Sequence, residues 1–233
     1  EHKKSEETIG RQVRYQWLNE IAQSEGYDYI SVAHHKDDQA ESILAHIIRG
    51  SGLNGLTGMS VVQSEYAIPV VRPLLDVTKE DLLAYIGTKH ISYCVDSTNE
   101  DVRYQRNRIR HRIIPELEAV NPAVVDAIVR LGSSVNEDVM VISDLTSRTF
   151  DKLVSIGDDE VRISRRALRQ EPLAIQRRLW QRLVSTIDSD LTLTSAHQEQ
   201  LLDIVNTGEK KTFTIKSIKV IAQCDTIKVY CKH

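Results

Sequence analysis

The run Ala33-His34-His35-Lys36-Asp37-Asp38-Gln39-Ala40-Glu41 gathers imidazoles and carboxylates within nine residues. On a helix beginning near Asp37, Asp38 and Glu41 stand three apart and share a face. Two carboxylates so placed can together grip an ammonium group or a metal ion. His34 precedes that helix and can face the same pocket. The plainer reading is equally open: Asp38 as an N-cap, Glu41 as its capping-box partner, both acids favoured by the helix dipole. Zinc is disfavoured, since His-His-x-x-Asp is not the His-Glu-x-x-His signature and no third ligand is evident. A second concentration, Arg103-Tyr104-Gln105-Arg106-Asn107-Arg108-Ile109-Arg110, is basic where a solvated helix face normally mixes signs. Arg106 and Arg110 fall on one helical face, suited to a phosphate or a carboxylate.

These groups need elements to hold them. Ile9, Val13, Trp17 and Ile21 recur every four residues and predict an amphipathic helix from Glu6 to Ser24, closed by Gly26. Tyr27 to Ala33 reads as a strand. The helix after it has Ile43, Leu44, Ile47 and Ile48 as its apolar face. His34, Asp37 and Asp38 thus lie at a strand's C-terminal end, where open α/β sheets bind ligands. Gly50-Ser51-Gly52 follows a helix and lacks the Gly-x-x-x-x-Gly-Lys-Ser/Thr pattern, so a helix cap is favoured over a phosphate cradle. Ala67–Val71 reads as a short strand, Thr78–Asp81 as the capped start of a helix, and His90–Val95 as a further strand or an extended segment. Pro115 is expected to end the Arg-rich helix, and Pro122 to open a long one. Helices are then expected over Pro172–Ile187 and Ser195–Asn206. The tail, with Lys211–Ile215, Ile218–Gln223 and Thr226–Tyr230, alternates as short strands.

The 233 residues, 41% hydrophobic and 27% charged, suffice for two modest domains, expected at residues 1–116 and 117–233. No apolar run is long enough to span a bilayer, and no signal peptide is evident. Cys94, Cys224 and Cys231 form no Cys-x-x-Cys pair, which fits a reducing cytosol. A net charge of −3 argues against indiscriminate coating of nucleic acid. Basic districts at residues 103–112 and 162–182 still allow contact with a polyanion.

The string from Ala33 to Met59, AHHKDDQAESILAHIIRGSGLNGLTGM, closely resembles the signature of the tRNA(Ile)-lysidine synthetase family. So do Asp96-Ser97-x-Asn99 followed by Tyr104-x-Arg106-Asn107-x-x-Arg110, Arg72-Pro73-Leu74-Leu75, and Arg11-x-x-Arg14-Tyr15. Four motifs in order are far more specific than one. The resemblance implies an α/β fold, a PP-loop (adenine nucleotide alpha hydrolase-like) parallel-sheet domain, incomplete, followed by a mainly helical domain with a small terminal β-element. It implies ATP, with magnesium, as cofactor, and L-lysine and the CAU-anticodon isoleucine tRNA as substrates of a cytoplasmic ligase. ATP would adenylate C2 of the wobble cytidine, and the lysine amine would displace AMP. Carried over, His34, Asp38, Glu41, Arg106 and Arg110 form the catalytic set, the acids holding lysine. Asp37, Arg11, Arg14, Asn107, Arg177 and Arg178 are the substrate-binding set. The family's Ser-Gly-Gly-x-Asp-Ser loop is not among these residues, so this polypeptide alone is expected to be inactive. The rivals are another PP-loop enzyme such as a tRNA thiolase, which the lack of a Cys-x-x-Cys disfavours, and a non-catalytic RNA-binding or regulatory module. Oligomeric state is left open, a homodimer included.

Overall fold

The computed structural model describes residues 6–94, 103–157, 160–189, 191–207 and 210–231. Asp96, Ser97 and Asn99 lie outside them. Contacts divide the chain into two compact units, residues 1–137 and 138–233.

The first unit opens with α1 (Glu6–Ser24), β1 (Ile30–Ser31) and α2 (Lys36–Ile48). It continues through α3 (Leu53–Leu56), β2 (Val62–Gln63), β3 (Val70–Val71) and α4 (Lys79–Thr88). The sheet order is β1-β3-β2, with β1 parallel to β3 (Ile30 opposite Val70) and β2 antiparallel to it. A further parallel bridge, His35 with Leu74, carries the pairing beyond the strand ends to the mouth of α2. The expected helix–strand–helix order is therefore present, with α2 rising from the carboxyl edge of a parallel pair.

Two faces differ from the reading of the sequence. In α1 the Ile9, Val13, Trp17, Ile21 stripe is exposed, at 37% or more. The packed side is Tyr15, Leu18, Asn19 and Ala22. It wins because its contacts are specific: Tyr15 stacks on Tyr66 with centroids 5.4 Å apart, and Asn19 clasps the backbone of Ile68 on both sides (2.9 and 3.3 Å). In α2 only Ile43 of the expected apolar face is buried, Ile47 and Ile48 being open. The buried residues ahead of it are Asp38, Gln39, Ala40 and Glu41. A helix that buries its acids needs partners for them.

Gly50 does act as a cap. Its φ is 74°, its N–H donates to Ile47 O, and the Ser51 N–H donates to His46 O, the paired bonds of a Schellman turn. Thr78 caps α4, accepting from the Asp81 N–H at 3.0 Å. Ile91–Cys94 is not a strand.

The Arg-rich stretch forms α5 (Gln105–Arg108), a π-helical turn (Ile109–Ile113) and α6 (Ile114–Val120). Pro115 does not end it. Pro115 sits in the first turn of α6, where a missing N–H breaks no helical bond, and the wide turn before it gives the ring room. Next comes α7 (Val124–Leu153), which starts two residues after Pro122, and the division between the units falls within it. Its first turns stay with the first unit. Lys36 Nζ reaches Asp126 at 3.0 Å, and a Cβ on Gly132 would lie 2.7 Å from Ile43 Cδ1.

The second unit adds β4 (Val154–Ile156), β5 (Val161–Ser164), α8 (Arg165–Leu168), α9 (Leu173–Ile187) and α10 (Ser195–Asn206). It closes with β6 (Lys211–Ile215), β7 (Ile218–Gln223) and β8 (Thr226–Cys231). The three tail strands occur as expected. They belong to a five-stranded antiparallel sheet, β4-β5-β8-β7-β6, so the β-element is larger than the tail alone. Its core joins Leu179, Trp180 and Leu183 of α9 and Leu201 and Val205 of α10 to Ile163, Ile218, Val220, Ile227 and Val229.

Candidate active site

The first residues of α2 are held from several sides. His35 is the N-cap, and its N–H donates to Asp38 Oδ2 at 3.0 Å. Asp38 is therefore the third helical residue, with its carboxylate turned back to the helix start, and the N-cap role considered for it belongs to His35. The Asp37 carboxylate points elsewhere: it accepts from the Lys79 N–H at 2.8 Å and lies 3.3 Å from His35 Nδ1. The His35 imidazole beside it, aided by the Lys79 N–H and opposed by burial, lowers the Asp37 pKa to about 2. Asp37 thus pins α2 to α4.

Asp38 and Glu41 point the same way, into the protein. Glu41 is 1% exposed. Arg106 of α5 and Arg110 of the π-helical turn meet them directly. Arg106 Nε lies 2.8 Å from Glu41 Oε2, and its Nη2 lies 2.9 Å from Asp38 Oδ1. Arg110 Nε lies 2.6 Å from Glu41 Oε1, with Nη2 at 3.0 Å from both Glu41 Oε2 and Asp38 Oδ1. With the His35 N–H on Asp38 Oδ2, every carboxylate oxygen of the pair is engaged. The acids and the arginines are in direct contact. They form one neutral cluster, because buried carboxylates are costly without charged donors. Burial alone would weaken the Arg110 charge, but hydrogen bonding and attraction from Glu41 and Asp38 leave its pKa raised. Asn107 is also buried here, on the same short helix.

His34 sits just before the cluster. Burial lowers its pKa to about 4; Asp38 pulls upward, while Arg11, Arg106 and Arg72 push further down. The imidazole is neutral at pH 7, and its Nδ1 is buried without a hydrogen-bond partner. It lines a cavity of about 420 Å³ with Arg11, Arg14, Tyr15, Leu18, Val32 and Arg106. Arg11 lies over the Tyr15 ring at 5.2 Å. A second cavity, of about 540 Å³, opens beside Glu41 and Arg106 and is walled by Arg49, Arg72 and Met59 among others. The structure thus gathers His34, Asp38, Glu41, Arg106, Arg110, Asn107, Arg11 and Arg14 in one unit. Asp37 stands beside them facing α4. Arg177 and Arg178 belong to the other unit, on α9, Arg177 exposed and Arg178 hydrogen-bonded to Ala174 O.

Two contributors escape the sequence reading. His35 reads as a second imidazole, and nothing in its type marks it as the cap of α2. Arg72 is 2% exposed, its guanidinium on Ser60 O and Gln63 Oε1. The sequence names it only within the Arg72-Pro73-Leu74-Leu75 motif and gives it no role of its own.

Comparison with known proteins bears on the first unit above all. A PP-loop domain model matches residues 1–117, half of the chain and all of the cluster. The chain belongs to the PP-loop family. Within it, the chain is 40% identical over 124 residues to a tRNA(Ile)-lysidine synthase of Porphyromonas gingivalis strain W83, covering 53% of this chain and 27% of that one. It is 32% identical to the tRNA(Ile)-lysidine synthase of Geobacter sulfurreducens (84% and 42% covered). It is 30% identical to that of Caldanaerobacter subterraneus subsp. tengcongensis (97% and 47% covered). This PP-loop chain spans less than half the length of these relatives.

Proposed function

We propose that this chain carries the amino-acid-binding side of a tRNA(Ile)-lysidine synthase. The protein ligates L-lysine to C2 of the wobble cytidine of the CAU-anticodon isoleucine tRNA. ATP, when bound, supplies the adenylyl group that activates C2, and the lysine amine then displaces AMP. The observation that carries this reading is the convergence of Asp38, Glu41, Arg106 and Arg110 at the carboxyl edge of a parallel strand pair, in a chain similar to synthases of that name.

The chemistry follows from the groups. Asp38 and Glu41 offer an ammonium two carboxylates on one helical turn, taking the place now held by guanidiniums. Neutral His34 is suited to accept the proton that the amine must lose. Arg106 and Arg110, once released, match an anionic group of the substrate or the charge that develops on a phosphate leaving group. The cavity of Arg11, Arg14 and His34 fits a nucleotide, with arginines for phosphates and Leu18, Val32 and Tyr15 as an apolar wall. Magnesium is proposed to arrive on the phosphates of ATP, which supply most of its ligands, since among the described residues no three acidic, imidazole or thiol groups are placed to hold a metal ion. Arg177 and Arg178 are proposed to touch tRNA phosphates, which position RNA without reading its sequence. No described helix is long and apolar enough to cross a membrane.

The test is to incubate the gene's full-length product with ATP, labelled lysine and the CAU-anticodon tRNA. Label on the RNA, lost when the wobble cytidine is replaced, is expected. A product that binds the tRNA yet never attaches lysine would leave the non-catalytic RNA-binding module in its place.

A further inference from the structure

Arg106 faces two ways. It is one of the guanidiniums on Asp38 and Glu41, and it also lines the 540 Å³ cavity with Arg72, Arg49 and Arg11. That cavity is lopsided in charge, because its carboxylates are Glu41, already matched by arginine, and Glu65. Arg72 is its unusual member. It is 2% exposed, its hydrogen bonds go to the neutral acceptors Ser60 O (2.9 Å) and Gln63 Oε1 (2.5 Å), and its Nε has no partner. A buried cation with neutral acceptors alone leaves its charge uncompensated. Its field reaches His34, whose protonation it opposes.

An amine arriving at Asp38 and Glu41 must displace a guanidinium. A ligand with an amine and no anion would leave Arg106 unpaired in the company of Arg72, like charge against like. A ligand carrying both charges makes the exchange neutral: its ammonium takes the carboxylates, and its carboxylate takes the freed guanidinium. We propose that the cavity walled by Arg72, Arg49 and Arg106 is the seat of the carboxylate of an amino-acid ligand. Arg72 is its buried anchor, and Arg106 swaps from Asp38 and Glu41 to that carboxylate as the ligand's ammonium replaces it. The inference rests on the reading of the two acids as an amine seat.

The test is calorimetric titration of the full-length product with L-lysine and with 1,5-diaminopentane, the same chain without a carboxylate. Lysine is expected to bind at least tenfold tighter. Arg72→Gln should lower lysine affinity about tenfold without weakening the diamine. Arg49→Gln, an exposed position that cannot threaten folding, should narrow the ratio severalfold and decides the matter if Arg72→Gln does not fold. Equal binding of the two ligands, or a ratio untouched by Arg49→Gln in that event, overturns the carboxylate seat and leaves the amine seat standing. If neither ligand binds, both readings fall together. If inorganic pyrophosphate lifts the diamine to the affinity of lysine, the cavity belongs to phosphate and the proposal is overturned.

Discussion

At the scale of single residues, four charged side chains of α2, α5 and the π-helical turn meet from distant parts of the chain. Asp38 and Glu41 share a face and point inward, as three-residue spacing on a helix requires. Arg106 and Arg110 share another, as four-residue spacing requires. That the second pair lies on the first is invisible in the spacing, because contacts across 65 to 72 residues depend on how two helices pack. Asp38→Asn is expected to raise the lysine requirement tenfold or more while tRNA affinity stays near that of the parent. Lysine-dependent kinetics beside a tRNA-binding curve check this, and unchanged lysine dependence would return Asp38 to helix capping. His34 gives a pH signature. Its folded pKa, about 4, lies below the ordinary 6.5, so between those values the unfolded chain takes up a proton that the folded chain refuses. Its contribution is complete above pH 6.5 and drains away as pH falls toward 4. For a partly open imidazole this amounts to about 1–2 kcal/mol. Urea melts at pH 7 and pH 4.5 should show a larger loss in the parent than in His34→Gln, and equal losses would refute the assignment.

At the scale of elements, capping and turn chemistry were legible and burial was not. Gly50, Thr78 and the tail strands are where local residue types demand them, since the forces that set them act within a few residues. The apolar stripes of α1 and α2 mislead because hydrophobicity records what a face could bury, while Asn19 on Ile68 and the arginines on Glu41 decide what it does bury. The strands β4 and β5, three and four residues long and lodged between helices, are too short to show an alternation in the residues. Gly50→Ala tests the Schellman turn. A side chain at φ 74° is strained, and a loss of about 1 kcal/mol in a thermal melt is expected. No loss would mean that the turn relaxes to another closure.

At the scale of the whole molecule, much of the basic district at residues 162–182 is spent on structure. Arg165 is buried and donates to Ile204 O and Cys224 O, Arg162 pairs with Glu160, and Arg182 lies 4.6 Å from the centroid of the Phe150 ring. Arg177 remains exposed. Arg177→Gln should weaken tRNA binding and reduce the slope of log affinity against log salt by about 1 if it meets a phosphate. An unchanged slope makes it a solvated surface residue. The closed state of the carboxylates has one more consequence. RNA travels with a cloud of polyamines, flexible polycations rich in primary amines and free of acids. With each oxygen of Asp38 and Glu41 already satisfied internally, spermidine or putrescine meets no vacant carboxylate and can enter only by displacing a guanidinium with no anion to offer in return.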